Sequence, residues 1–263
     1  MENTVLQPLD IFVLILSIGF FMFLEKKIPH KPYKSSPASS VFLVWLIGYL
    51  VNYLIMIPLV LILLIKLLAS YRLGSLSHLD IPVGLSLLVS LGILDLCTYT
   101  MHRLSHKIPI LWNLHKLHHS ETRLSTATSL LHHPLELLVN SIWLLGFSMI
   151  FGISLWAILI YNILVISHAA FCHANISINQ NISKKIANFL VTPAFHRVHH
   201  SQEVSLGYSN YGELLTIWDL IFRSHKQEAL SYKPGFRYGV DGVFCTSPSE
   251  MLLLPFKQRK ESK

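Results

Sequence analysis

Charged residues are scarce in this sequence. Asp, Glu, Lys and Arg make up 13% of its 263 residues, about half the share that is usual in soluble globular proteins. Hydrophobic residues make up 52%, and the mean hydropathy is +0.50. This composition argues against a soluble globular protein and predicts an integral membrane protein.

Cysteine is also rare, and cofactor motifs built on cysteine or glycine are missing. Cys97, Cys172 and Cys245 form no Cys-x-x-Cys pair, which argues against an iron–sulfur motif, a c-type haem or a disulfide framework. No phosphate-binding glycine pattern for a flavin or nicotinamide occurs, so redox chemistry would need electrons from a separate protein. Cys172 precedes His173 and could be a metal ligand, but we favour a small buried side chain.

What the sequence does contain is long uncharged stretches. They cover residues 11–24, 41–65, 81–101 (apart from Asp95) and 137–167, and about 20 apolar residues suffice to cross a bilayer as a helix. We therefore predict an all-α fold of multi-pass integral membrane helices, with four to five hydrophobic segments and a cytosolic, histidine-rich helical cap. The first stretch is expected to be a retained anchor, because no small-residue cleavage pattern follows it.

The last stretch is too long for one ordinary span. As a single helix its 31 uncharged residues would extend about 46 Å. If His119 before it and His173 after it serve one site, both of its ends lie on the same membrane face. We therefore predict a turn near Gly152-Ile153-Ser154 between two short helices.

Basic residues predict the orientation. With the N-terminus outside, every one of the 21 Lys and Arg residues except Lys66 and Arg72 falls on the cytosolic side, as the positive-inside rule requires. The histidine clusters then face the cytosol. Separately, we expect a bacterial inner membrane in preference to the endoplasmic reticulum. The net charge of +7 is explained by this asymmetry and by anionic headgroups, so no nucleic-acid partner is expected.

Eight histidines form three short clusters, one His-x-x-x-His and two His-x-x-His-His. They are His102 and His106; His115, His118 and His119; and His196, His199 and His200. Residues three or four apart share one face of a helix, and imidazole is a ligand for iron, zinc, copper and nickel. One metal usually takes three or four protein ligands, so the clusters predict two metals. The alternative is a set of surface histidines in a basic loop.

Asp95 lies on the helix face that leads to the first cluster. Asp95, Tyr99, His102 and His106 are spaced by four, three and four residues and therefore form one stripe. An aspartate at membrane depth is costly unless it is paired or functional. We expect Asp95 to orient a metal-binding imidazole. The alternative is a hydrogen bond to a neighbouring helix or to Tyr99.

Several motifs together resemble those of the fatty acid hydroxylase superfamily, which includes sterol desaturases and other lipid hydroxylases. The resemblance covers roughly residues 85 to 225. The first motif is the segment from Asp95 to His106. The others are His115-Lys-Leu-His118-His119-Ser120, His132-His133-Pro134-Leu-Glu136, His173-Ala-Asn175, His196-Arg-Val-His199-His200-Ser201, Asn210-Tyr211-Gly212 and Trp218-Asp219. It implies a membrane-bound, non-haem di-iron oxygenase that hydroxylates or desaturates a lipid C–H bond with dioxygen.

The resemblance also implies a site. Nine ligands for two iron ions, which zinc could replace, would be His102, His106, His115, His118, His119, His173, His196, His199 and His200. His168 is either a further ligand or a capping or interfacial histidine. His132 and His133 are expected beside the ligands, as are Asp95, Tyr99 and Asn175. Electrons would come from a ferredoxin or a cytochrome b5-like protein with its reductase. The alternatives are a metal-handling membrane protein and a structural zinc- and lipid-binding protein without redox activity.

The chain divides into three predicted regions. Residues 1–84 would be N-terminal anchor helices, residues 85–225 the hydroxylase-like catalytic domain, and residues 226–263 a cytosolic tail. Short amphipathic helices are expected at 108–114 and 186–191, lying at the membrane surface.

Overall fold

A computed structural model describes residues 6–31, 37–68, 80–227, 231, 233 and 235–257, with only the backbone for 6–11, 57 and 60–68. Within these ranges the protein has eleven α-helices and no β-strand, which confirms the predicted all-α class. The helices are α1 Leu6–Lys27, α2 Ala38–Leu68, α3 Val83–Lys107, α4 Pro109–His115, α5 Pro134–Phe151, α6 Leu155–His173, α7 Gln180–Ile186, α8 Pro193–His199, α9 Val204–Gly207, α10 Ile217–Ile221 and α11 Pro248–Leu253. Short 3₁₀ turns lie at His118–Ser120, Thr126–Leu130 and Leu254–Phe256.

Four helical segments among the described residues are long and apolar enough to cross a membrane. They are Ala38–Met56 of α2 and the whole of α3, α5 and α6. Large apolar side chains such as Leu88 and Ile150 remain 67% exposed on them, as is expected for surfaces that face lipid. The protein is therefore an integral membrane protein, whereas a crossing by α1 remains a prediction.

The turn between α5 and α6 lies where the sequence predicts it. Gly152 ends α5 with a left-handed backbone (φ 65°), a conformation that glycine adopts without steric cost. Ser154 then caps α6, because its Oγ accepts the Ala157 N–H at 3.2 Å. The two helices have 18 and 19 residues and are each long enough to cross, so our expectation of short helices is wrong.

The short helices form a cap at the end of α3 and α6. The predicted helix at 108–114 corresponds to α4, but the one predicted at 186–191 is wrong. The helix there is α7, which begins earlier because Asn179 Oδ1 accepts the N–H groups of Asn181 and Ile182. After Ile186 the chain turns, and the Val191 N–H donates to Leu214 O at 3.0 Å.

The described part of the chain after residue 225 packs back onto the helices. Cys245, Met251 and Leu254 join one buried cluster with Val41 and Val44 of α2 and with Leu117 and Leu131. The division into three regions remains a prediction, as does the orientation. Arg72, the side chain of Lys66 and the C-terminal residues 258–263 lie outside the described residues.

Gly48 allows α2 and α5 to approach closely. A Cβ at this position would lie 3.3 Å from the Pro134 Cα and 2.8 Å from the Leu137 Cδ1. We expect Gly48→Ala to destabilise the protein by about 1–3 kcal/mol, because overpacking forces neighbours to shift. Thermal unfolding in detergent would show it. Gly146→Ala on α5, where a Cβ meets nothing within 4 Å, is the control, and equal melting temperatures for both variants would contradict this packing.

Candidate metal centre

The cap and the ends of two spans bring the predicted histidines together. His102 and His106 lie one turn apart near the end of α3, His115 ends α4, and His173 ends α6. His196 and His199 belong to α8, and His200 follows it directly. All nine predicted ligands are buried, including His118 and His119 of the 3₁₀ turn.

The nine rings form two groups whose ligand atoms lie within 4.8 Å of one another. The five-histidine group contains His102, His106, His115, His119 and His199, and the four-histidine group contains His118, His173, His196 and His200. The groups do not follow the sequence clusters. His118 and His119 are adjacent in sequence but belong to different groups, and the same is true of His199 and His200.

In the four-histidine group the Nε2 atoms approach one another closely. His173 Nε2 lies 3.0 Å from the Nε2 atoms of both His118 and His196, and His196 Nε2 lies 3.1 Å from that of His200. His173 Nδ1 donates to Ala169 O at 2.8 Å, so its Nε2 carries a lone pair. Lone pairs that converge in this way repel one another unless a cation lies between them.

The five-histidine group shows the same pattern. His115 Nε2 and His119 Nε2 are 3.2 Å apart, and the buried Nε2 atoms of His102, His106 and His199 have no hydrogen-bond partner among the described residues. Two nitrogens bound to one ion at ~2.1 Å, at right angles, are ~3.0 Å apart. The observed spacings therefore fit one transition-metal ion in each group.

Hydrogen bonds to the far side of the ring fix the orientation of three histidines in the five-histidine group. His102 Nδ1 lies 2.9 Å from Tyr211 O and 2.9 Å from Glu213 Oε1. His115 Nδ1 lies 2.6 Å from Glu136 Oε1, and His199 Nδ1 lies 2.8 Å from Ser209 O. Such acceptors hold the proton on Nδ1 and leave Nε2 free for a metal.

The environment keeps the cap histidines neutral. Burial lowers the pKa of five of these histidines well below its usual value. They are His118, His119, His196, His199 and His200. Neutral imidazole is the form that binds metal. Burial alone would raise the pKa of Glu213, but the electrostatic interaction and hydrogen bond with the His102 ring lower it below the usual value, so Glu213 is a carboxylate beside the site.

Asp219 holds the loop that supplies two of these acceptors. Its carboxylate accepts the backbone N–H groups of Tyr211 and Gly212, both at 2.8 Å, and the Ser224 hydroxyl at 2.6 Å. These bonds fix the segment that carries Tyr211 O and Glu213. Asp219 therefore acts on the site through the backbone.

The predicted role of Asp95 is wrong. Its carboxylate accepts hydrogen bonds from Trp218 Nε1 at 2.7 Å, Tyr161 Oη at 3.1 Å and the Leu215 N–H at 3.2 Å, and none of these is a histidine. Asp95 lies about two helical turns before His102, where it meets α6 and the loop before α10. The alternative, a polar bond to a neighbouring helix, is what the structure shows.

Tyr99 and Asn175 also make their described hydrogen bonds away from the rings. Tyr99 Oη bonds Ser224 Oγ at 2.7 Å and accepts from Arg103 at 3.2 Å. The Asn175 amide bonds the backbone of Lys31, with Nδ2 donating to Lys31 O at 2.7 Å. The expectation that these two side chains contact the ligands is therefore not met.

The remaining candidates lie outside both groups. His132 bonds Glu136 Oε1 at 3.1 Å and stacks on His118 with ring centroids 4.4 Å apart. His133 caps α5 by accepting the Leu135 N–H, and His168 packs on Phe171. The Cys172 thiol lies 3.4 Å from Val191 O within an apolar cluster, as we favoured.

Glu136 and Glu213 are the site residues that the sequence reasoning missed. Glu136 had a usable signal, because it is the only charged residue between positions 126 and 167, and a lone carboxylate among apolar spans indicates function. Glu213 had none, since it lies in an ordinary polar loop. The acceptors at Ser209 and Tyr211 are backbone carbonyl groups, which every residue has, so residue type could not reveal them.

An apolar cavity of about 380 Å³ reaches the five-histidine group. Its walls come from α1, α2, α3, α5 and α6 and include Leu144, Val165 and Ile166. His102 and His115 lie on it, together with Glu136 and Asn140, whereas no member of the four-histidine group does. The cavity can therefore bring an apolar chain to one of the two metal positions.

Comparisons with known proteins agree with this site. Residues 87–224 match the family described as fatty acid hydroxylase. The human alkylglycerol monooxygenase is 30% identical over 135 residues, which cover 51% of this chain and 29% of that protein. The Xenopus tropicalis enzyme of that name is 32% identical over 138 residues, 51% of this chain and 29% of the relative.

A bacterial relative is the ornithine lipid hydroxylase OlsE of Rhizobium tropici. It is 30% identical over 144 residues, which cover 52% of this chain and 41% of that protein. The chain thus spans less than half the length of these curated relatives, and no solved structure matches it. The family match covers more than half of the chain and includes all nine histidines of the two groups. The chain therefore belongs to the fatty acid hydroxylase family.

Proposed function

We propose that this protein is a membrane-bound lipid oxygenase that uses two iron ions, dioxygen and external electrons to hydroxylate a C–H bond of a lipid. The observation that carries the proposal is the pair of buried histidine groups, one of which lies on an apolar cavity. The similarity to two kinds of lipid-oxidising enzyme supports it.

The donor set favours iron over structural zinc. Structural zinc sites are almost always four-coordinate and tetrahedral, and five histidines converge in the larger group. Five histidines exceed the four ligands that such a zinc site takes, so this group would suit a redox-active ion such as iron. Bound iron would supply the dioxygen activation and redox capacity that the side chains lack.

The chain's own residues would bind the substrate and exclude water. Leu144, Val165 and Ile166 give the cavity an apolar wall that accommodates a hydrocarbon chain. His102 and His115, on the same cavity, would place the reacting carbon beside the five-histidine group. Burial of these rings keeps bulk water from the site.

Two unused acceptors on the cavity wall indicate what else the substrate carries. Glu136 Oε2 and Asn140 Oδ1 are buried without a hydrogen-bond partner among the described residues, and they lie one helical turn apart on α5. Buried acceptors are normally satisfied, so a lipid with a hydroxyl or N–H donor near the oxidised carbon would pair with them. Alkylglycerols carry such hydroxyls, and ornithine carries such N–H groups.

The reaction would convert a C–H bond, dioxygen, two electrons and two protons into a C–OH group and water. The electrons would come from a separate ferredoxin or cytochrome b5-like donor, because the sequence has no motif for a bound flavin, haem or iron–sulfur cluster. The distribution of Lys and Arg supports a cytosolic position for the histidine groups, where such a donor could reach them.

Isotopically labelled dioxygen provides the test. Iron-loaded protein would be incubated with a lipid extract, a reductase and an electron carrier, and the lipids examined by mass spectrometry. We expect one lipid class to gain one labelled oxygen atom, and the His119→Ala variant to give none. Protein that contains only zinc, consumes no dioxygen and modifies no lipid would contradict the proposal and favour a structural zinc protein.

Asn140→Leu tests the predicted hydrogen bond to the substrate. One net hydrogen bond contributes about 1 kcal/mol, so we expect kcat/KM for the lipid so identified to fall about fivefold, mainly through KM. A substrate analogue without the donor group should be oxidised equally by both proteins. Asn188→Leu, at an exposed position, is the control. An equal loss for substrate and analogue would contradict a donor-specific role.

A further inference from the structure

A second cavity shares no lining residue with the proposed lipid cavity. Its volume is about 400 Å³, and its lining includes His30, Lys31, Arg123, Arg197, Arg237 and Tyr238. No described residue of this lining is acidic. The wall thus gathers four permanent positive charges, which neither the metal site nor the proposed reaction uses.

The chain is built to hold these cations in place. The Asn175 amide clamps the backbone of Lys31 through two hydrogen bonds, at 3.2 and 2.7 Å. The Gln202 N–H donates to Arg237 O at 2.9 Å, and Lys31 Nζ lies 5.6 Å from the centre of the Tyr238 ring. Arg197 also lines the cavity; it is buried, with only 3% of its surface exposed, and its guanidinium donates to Ile176 O at 3.5 Å.

The local electrostatics agree with a positive cavity. Burial, together with the charges of Arg197 and Lys31, lowers the pKa of His30 to about 4. At neutral pH His30 is therefore uncharged and can donate or accept a hydrogen bond. Guanidinium groups bind anionic oxygens, including those of phosphate, through paired N–H donors.

The position of the cavity relative to the membrane limits the chemical class of its ligand. Asn175 lies two residues beyond the end of α6, a candidate span, so we infer that the cavity lies near the level of the lipid headgroups. We propose that this cavity binds a phosphate group, either of an anionic phospholipid headgroup or of a soluble phosphate ester. Basic pockets at this depth suit such groups, and the volume leaves room for a headgroup around the phosphate.

Binding to the full-length protein in neutral detergent tests the proposal without using activity. The probes are phosphatidylglycerol, counted by native mass spectrometry, and glycerol 3-phosphate, measured by thermal stabilisation. Lys31→Gln with Arg237→Gln removes two exposed rim charges. The control is Lys184→Gln with Lys185→Gln, an equal charge change on exposed residues of α7.

We expect the wild type to retain one phosphatidylglycerol, with affinity reduced at least about tenfold in the rim variant and less than about twofold in the control. Binding of the lipid alone would assign the cavity to headgroups, and competition by glycerol 3-phosphate would assign it to a soluble ester. Equal losses in both variants would overturn the proposal. So would binding of neither probe, or a rim-dependent complex with an acidic carrier protein alone.

Discussion

His118→Ala and His119→Ala are expected to remove different metal ions, although the two residues are adjacent in sequence. His118 belongs to the four-histidine group and His119 to the five-histidine group. Each variant should therefore keep about one ion per chain where the wild type binds two. Activity should fall more than about 100-fold in both, because loss even of outer partners of metal ligands commonly costs 10- to 100-fold.

Metal analysis and spectroscopy of the purified variants distinguish the two losses. The ion left in His118→Ala should be coordinated by the five-histidine group and should still respond to substrate, because the cavity reaches His102 and His115. The ion left in His119→Ala should respond much less. His225→Ala, an exposed histidine outside both groups, is the control. Identical spectra from the two variants would contradict the division into two groups.

Glu213→Gln is expected to lower metal affinity and activity by about 10- to 100-fold, the range typical of partners that orient metal ligands. The Glu213 carboxylate lies 2.9 Å from His102 Nδ1 and stabilises the proton on that nitrogen. The neutral amide loses the charge and can present an N–H to the same atom. Competition with a chelator would measure the affinity of the five-histidine group.

Two further variants test whether the loss of metal affinity depends on the negative charge at Glu213. Glu213→Asp keeps the charge and should retain more affinity than Glu213→Gln. Glu203→Gln makes the same chemical change at an exposed position and should leave metal binding unchanged. Affinity that is equal in wild type and Glu213→Gln would show that the Tyr211 carbonyl alone orients His102.

The candidate ligands could be predicted from the sequence because their spacing is local. His-x-x-x-His and His-x-x-His-His place rings on one side of a short segment, and few functions other than metal binding explain so many buried imidazoles. The turn at Gly152 was also predictable, because both ends of the 137–167 stretch had to return to the histidines. These inferences use only residue type, spacing and chain length.

The partition of the rings was not predictable, because it depends on backbone geometry between neighbouring residues. His118 and His119 diverge in a 3₁₀ turn, and His200 follows the last residue of α8, so adjacent side chains point to different groups. Helical spacing alone predicts neither the divergence of His118 and His119 nor that of His199 and His200. The role assigned to Asp95 failed for a similar reason, since its contacts with Trp218 and Leu215 join segments far apart in sequence.

X-ray absorption of the iron-loaded wild-type protein tests the central claim most directly. We predict two iron ions per chain, surrounded mainly by imidazole nitrogen at about 2.1 Å, with a mean coordination number above four. A single tetrahedral ion, a sulfur ligand, or metal content unchanged after replacement of His118 and His119 together would contradict it.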